Sequence, residues 1–205
     1  MDSTNIFFDL DDTLVTTRQT IFLRINTLVK KFSLDINPAD VYGLLGNPNR
    51  REILARTIGK KIPFWEGYEL LRKKIGVNSI PGVGSALEAL VLEGRQLGII
   101  TNNTLKKTLE KLRLAKIDTS LFQGNIYSCL DNGCLKPSPE IVIRANLCTK
   151  NTKYIGDSIE DYFFTINSGM EFYAVCTGEH NAEDFRRVGL RERMILPNIQ
   201  EVLHR

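Results

Sequence analysis

Three stretches of the chain repeat one pattern: a short apolar run, a polar or acidic turn, and then apolar positions at helical spacing. NIFF (residues 5–8) runs into Asp9, QLGII (96–100) into Thr101-Asn102-Asn103, and KYIG (153–156) into Asp157-Ser158. Each run is too brief for a helix and reads as a buried strand. EFYAVC (171–176) and RMIL (193–196) read the same way. Between the strands, Val83, Leu87, Leu90 and Val91 share one helical face that Gly94 ends, and Leu105, Leu109 and Leu112 share another. Strand alternating with helix predicts an α/β fold with a Rossmann-like parallel sheet as its core.

Residues 18–76 break the rhythm. No strand pattern occurs there; instead Ile21, Leu28 and Val29, then Ile53 and Leu54, then Phe64, Tyr68, Leu71 and Ile75 mark helices punctuated by Pro38, Pro48 and Pro63. The chain returns to sheet grammar at Ile80-Pro81-Gly82. The expected organisation is a core of residues 1–16 and 81–205 with an inserted α-helical cap domain, residues 17–80.

Charge sharpens this division. Residues 17–80 hold 12 Lys/Arg against 5 Asp/Glu, a balance of +7, which leaves 15 against 19 for the remainder of a chain whose net charge is +3. A basic segment on an acidic chain can meet an anionic ligand. Basic repeats interleaved with aromatics are absent, which argues against nucleic acid. No apolar run reaches membrane-spanning length, and MDSTNIFFDL lacks the basic start of a signal peptide. The four cysteines form no CxxC pair, so zinc is not expected and they read as reduced thiols of a cytoplasmic protein.

The chemistry concentrates at the strand ends. If Asp9 and Asp11 continue the extended path of the first strand, both point to one side, where two carboxylates repel unless a cation lies between them. In an open α/β sheet, ligands bind beyond the carboxyl ends of the strands, where Asp9, Thr101 and Asp157 all fall. A magnesium ion, which favours oxygen ligands and phosphate, answers the repulsion if Asp9 and Asp157 hold it. Asp9 could then attack phosphorus, and Asp11 could protonate the leaving oxygen and later activate water. Thr101, with backbone N–H groups, could hold a phosphate oxygen. Lys136, between the stiffening prolines of LKPSPE, is the candidate cation for the transferring group. Singly, Asp157 or Thr101-Asn102 looks like a helix cap and Lys136 like a solvated lysine; their combination with DLDDT does not.

Four segments in order, FFDLDDTL, IITNN, LKPSP and YIGDSIED, resemble the signatures of the haloacid dehalogenase-like hydrolase superfamily. The resemblance covers most of residues 1–16 and 81–178. It implies Asp9 as nucleophile and Asp11 as acid/base whose backbone carbonyl also meets the metal. It implies Thr13 at the closing position of the first motif, Thr101 and Asn102 on phosphate, and Lys136 beside the nucleophile. Asp157 and Asp161 are then metal-site acids, with Asp161 either a ligand or a support behind one. Relatives that cleave carbon–halogen bonds lack the second aspartate, so Asp11 implies phosphoryl transfer. An insertion between the first and second motifs resembles the subgroup with a helical cap, which includes phosphoglycolate phosphatase, sugar-phosphate phosphatases and β-phosphoglucomutase.

The implied function is a Mg²⁺-dependent phosphatase of a small phosphorylated metabolite, acting through an aspartyl-phosphate as a monomer or homodimer. The alternatives are a phosphomutase and a binding protein without turnover. In GLLGNPNRRE (43–52), which resembles the cap loop of relatives in position, Arg50 or Arg51 could hold a substrate carboxylate or second phosphate. Two features depart from the pattern. Thr16-Thr17 stand where many relatives carry Asp-Ser, and Tyr162-Phe163-Phe164 stand where an alanine-rich helix is common.

Overall fold

The computed structural model describes residues 5–45 and 47–204; the first four residues of the N-terminal segment read above, Gly46 of the 43–52 loop, and Arg205 lie outside the described residues. The chain divides into two compact units, one running to Thr16 and resuming at Asn78, the other Thr17–Val77. The first unit is closed at the division by hydrogen bonds of its own. The Thr16 N–H donates to the Asn78 carbonyl (2.8 Å), the Asn78 N–H to Thr16 Oγ1 (3.1 Å), and the Ile80 N–H to the Leu14 carbonyl (3.0 Å).

Thr17–Val77 carries helices α1 (Arg18–Lys31), α2 (Pro38–Gly43), α3 (Arg50–Thr57) and α4 (Phe64–Lys74). Pro38 opens α2, where its missing N–H costs nothing, and Asn37 caps it by accepting from the Ala39 N–H at 2.9 Å. The helices bury Ile25, Leu28, Val41, Leu54, Phe64 and Trp65 against one another. Arg24 is also buried, which is costly for a guanidinium without partners. Its Nε and Nη2 donate to the Ile75 carbonyl at 2.9 and 2.6 Å, satisfying an acceptor that the C-terminus of α4 leaves open.

The other unit is built on a six-stranded sheet: β1 (Asn5–Phe8), β2 (Gln96–Thr101), β3 (Ile126–Ser128), β4 (Thr152–Gly156), β5 (Glu171–Val175) and β6 (Ile195–Leu196). All pairings are parallel, in the order β3-β2-β1-β4-β5-β6. Connections run through α5 (Val83–Leu92), α6 (Leu105–Leu114), α7 (Glu140–Arg144), α8 (Ile159–Ser168) and α9 (Ala182–Arg187). The α/β reading therefore stands. Strand β3 was not expected: three residues at a sheet edge are too few to show a period. RMIL contributes only Ile195–Leu196, because Glu192–Met194 forms a helical turn.

Because β1 is central, it is buried on both faces, as its apolar run requires. The strand order reverses at β1, with β2 on one side and β4 on the other, which is where an open α/β sheet leaves a crevice. Register levels the strand ends. Phe8 pairs with both Ile99 and Ile155, and the Asp9 N–H donates to the Ile155 carbonyl at 2.9 Å. Asp9, Thr101 and Asp157 are thereby carried to one edge of the sheet. Among the described residues no helix is long and apolar enough to cross a membrane.

Candidate active site

The loop leaving β1 is held by its own backbone. Leu14 and Val15 both donate to the Leu10 carbonyl, and Asp12 takes a left-handed φ of 59°, which a short polar side chain tolerates. Asp9 and Thr13 are buried while Asp11 stays half-buried. Opposite Asp9 stands Lys136, itself 4% exposed. Its ammonium donates to Asp9 Oδ1 (2.6 Å), Asp161 Oδ1 (2.6 Å) and the Tyr154 hydroxyl (2.9 Å), and that hydroxyl donates to the Ile100 carbonyl (2.8 Å). All three donor hydrogens of the lysine are thus directed.

Asp161 has two tasks. Within α8 it completes a capping box: its Oδ2 accepts from the Ser158 N–H (3.2 Å) and hydroxyl (2.6 Å), while Ser158 Oγ accepts from the Asp161 N–H (3.1 Å). Its other oxygen holds Lys136. Of the aromatic departure in this helix, Phe164 serves the core: it is fully buried and meets Tyr154 edge-on at 5.3 Å, supporting the hydroxyl that Lys136 reaches, whereas Phe163 is exposed.

Around Thr101 the turn into α6 is wired by amides. Thr101 Oγ1 accepts from the Asn103 backbone (3.2 Å) and side chain (2.9 Å). Asn102 accepts from the Lys136 N–H at 2.8 Å and donates to Glu160 at 3.1 Å, so its side chain anchors the lysine loop. Asn103 Nδ2 also donates to Asp11 Oδ2 (2.6 Å), and Lys111 Nζ, on α6, donates to Asp11 Oδ1 (2.5 Å).

Asp157 has no cationic partner among the described residues; the Thr13 hydroxyl donates to its Oδ1 at 3.0 Å. Burial pushes its carboxyl up to about 9, with Asp9, Asp161 and Asp12 adding repulsion. Burial also pushes Asp9 up to about 7, against the pull of Lys136. For Lys136 burial works against the charge, but Asp161 and Asp9 outweigh it and hold the ammonium well above its ordinary range.

Asp9, Asp157 and Asp161 offer oxygens within 4.8 Å of one another. When all three carboxyls are ionised, three carboxylates against one ammonium would leave an excess of two negative charges in a buried space, which is why burial holds protons on Asp157 and Asp9. Such a hard oxygen set with that excess fits a divalent cation. With both Asp161 oxygens already engaged, the open positions belong to Asp9 and Asp157.

The neighbouring backbone also makes room for Asp157. A Cβ on Gly178 would stand 1.7 Å from Asp157 Oδ2 and 2.6 Å from its Cγ. Sequence reasoning missed Gly178, Asn103, Lys111 and Tyr154. Arg50 and Arg51 lie in the helical unit, where the Arg50 guanidinium sits 4.9 Å from the Trp65 ring centre and Arg51 pairs with Glu66.

A model of the haloacid dehalogenase-like hydrolase family matches residues 6–175. The chain belongs to that family. It is similar to 6-phosphogluconate phosphatase of Escherichia coli (strain K12), at 23% identity over 86% of this chain and 84% of the relative. It is also similar to glyceraldehyde 3-phosphate phosphatase of Pyrococcus furiosus, at 26% identity over 98% of this chain and 92% of the relative. Among solved structures, a family hydrolase from Deinococcus radiodurans R1 with bound phosphate and sodium superposes with a TM-score of 0.80, at 20% identity over 98% of this chain and 93% of that one.

Proposed function

We propose that this hydrolase is a Mg²⁺-dependent phosphatase that cleaves a small phosphorylated metabolite through an aspartyl-phosphate on Asp9. The observation that carries this reading is the buried Asp9–Lys136–Asp161 cluster with Asp157 beside it, at the sheet's switch point. In the first half-reaction Asp9 attacks phosphorus while Asp11 gives a proton to the leaving oxygen. In the second, Asp11 takes a proton from the water whose oxygen attacks phosphorus, and the Asp9–phosphorus bond breaks. Lys136 offsets charge on the transferring group, and Thr101 with the backbone of the Asn102 turn holds its oxygens. Asp9, Asp157 and the Asp11 carbonyl would hold the Mg²⁺, which would supply charge neutralisation for the transferring group. Asp161 positions Lys136 from behind.

The two curated relatives are named for a phosphorylated sugar acid and a phosphorylated triose, which supports substrates of that size. On the resemblance alone, Arg50 or Arg51 is the residue that would hold a substrate carboxylate or second phosphate. Four free thiols and a cofactor abundant in cells suit a cytoplasmic setting.

The experiment is phosphate release from a panel of sugar phosphates, sugar-acid phosphates and triose phosphates, with and without Mg²⁺, beside Asp9→Asn. Turnover that needs both metal and Asp9 is expected. Equal release by the Asn variant removes Asp9 as nucleophile, and isomerisation without release replaces the phosphatase by a mutase.

A further inference from the structure

Asp11 is held at both of its oxygens by residues from a different strand–helix unit. Lys111 Nζ donates to Oδ1 at 2.5 Å and Asn103 Nδ2 to Oδ2 at 2.6 Å. Lys111 also donates to Asn103 Oδ1 at 3.3 Å, so the three side chains close a ring. Asn103 is in turn fixed through its own carbonyl, which accepts from the Ser128 hydroxyl at 2.6 Å. The ring is not a chance surface pairing. Lys106, Lys107 and Glu110 of the same helix are exposed, whereas the Lys111 side chain is 20% exposed and turned toward the loop after β1.

A carboxyl on a half-exposed loop residue otherwise rotates about its side-chain bonds. One donor on each oxygen sets both its position and the direction of its plane. We propose that Lys111, together with Asn103, is the positioning residue that aims the Asp11 carboxyl for proton transfer. The inference rests on the reading of Asp11 as the acid/base of the phosphatase. It adds that part of the precision of this proton transfer comes from Lys111 on α6, outside the four signature segments.

The test compares Lys111→Met, Asp11→Asn and the double variant in the full-length protein with Mg²⁺. Each is assayed on the best alkyl phosphate of the panel and on p-nitrophenyl phosphate, whose leaving group departs without a proton. The readout is kcat/KM, which covers events through phosphoryl transfer to Asp9 and stops before water attack. Since a misplacement of about 1 Å costs on the order of 10²-fold, Lys111→Met is expected to lower kcat/KM on the alkyl substrate by about 10- to 10²-fold, with the aryl substrate nearly unchanged. The double variant is expected to be no worse than Asp11→Asn alone, because a residue acting through Asp11 has nothing further to lose.

Equal losses on both substrates, multiplying losses in the double variant, or a raised KM at constant kcat overturn the proposal. If Asp11→Asn itself treats the two substrates alike, the acid/base reading has failed and takes the inference with it. Lys111→Gln, which keeps a donor without the charge, is measured in parallel and read in place of the Met variant should that one not fold.

Discussion

Gly178 offers the sharpest test of the geometry, because a single methyl group added there meets one functional atom. Built on this backbone, the Cβ of an alanine lies 1.7 Å from Asp157 Oδ2, 2.6 Å from its Cγ and 3.1 Å from Asp12 Cβ. Non-bonded heavy atoms settle near 3.5 Å, so the carboxylate must retreat by roughly 1–2 Å. It cannot do so freely, since it is buried and holds the Thr13 hydroxyl. The backbone of Gly178 is not in the left-handed region, so alanine brings no conformational strain of its own. Gly178→Ala should therefore move a proposed metal ligand while leaving the fold in place. A displacement near 1 Å is worth about 10²-fold in rate.

The expected result is a loss of about that size or more in kcat/KM, with a weakened rise of melting temperature on adding Mg²⁺. Gly84→Ala is the control: its Cβ would meet nothing within 4 Å in helix α5, so it should leave activity intact and stabilise by up to about 1 kcal/mol. Wild-type activity and an undiminished metal response in Gly178→Ala would refute the reasoning.

The raised carboxyls make metal-free stability depend on pH with a definite sign. Asp157 at about 9 and Asp9 at about 7 bind protons in the folded state that the unfolded chain releases near the ordinary value of 3.8, so stability should fall as pH rises through that window. Melts in EDTA across pH 5–9 check this on a scale of about one proton per carboxyl; Asp157→Asn should flatten the slope and stabilise the metal-free protein at the alkaline end, and a rising wild-type curve would contradict it. Lys136→Met leaves two carboxylates without their shared ammonium and should abolish turnover while costing about 3–5 kcal/mol in urea unfolding. Asp161→Asn should lower activity and stability together, since it loosens both Lys136 and the α8 cap, yet retain a Mg²⁺-dependent melting shift that Asp157→Asn loses.

What could be read from the chain follows from how local each signal is. Asp9, Thr101 and Asp157 were legible because each directly follows an apolar run, and parallel register then levels the strand ends. The capping half of Asp161 is likewise legible, since serine followed three residues later by an acid is a local pattern. Its other oxygen, on Lys136, depends on a contact across 25 residues and leaves no local trace. Tyr154 reads as one more apolar residue of KYIG until the fold aims its hydroxyl. Lys111 stands among Lys106, Lys107 and Arg113 with nothing in its neighbourhood to single it out; only the packing of α6 against the loop after β1 turns it inward.

The same contrast explains the charge arrangement of the site. Two of its carboxylates, Asp9 and Asp161, share the Lys136 ammonium, and a third, Asp11, has Lys111. Asp157 alone is buried with a hydroxyl as its partner, and burial pushes its carboxyl further up than that of Asp9. A protein under pressure only for stability would fill that position with a second lysine or an apolar residue, because ionising an unpaired buried carboxyl costs several kcal/mol, on the order of what holds a domain folded. Keeping the carboxylate while opening the backbone at Gly178 to seat it is what the proposed function asks of a cation ligand, whose counter-charge would arrive from solution. The cation is therefore expected to bind most tightly at alkaline pH, where Asp157 has released its proton, and its affinity should fall as pH drops through that titration.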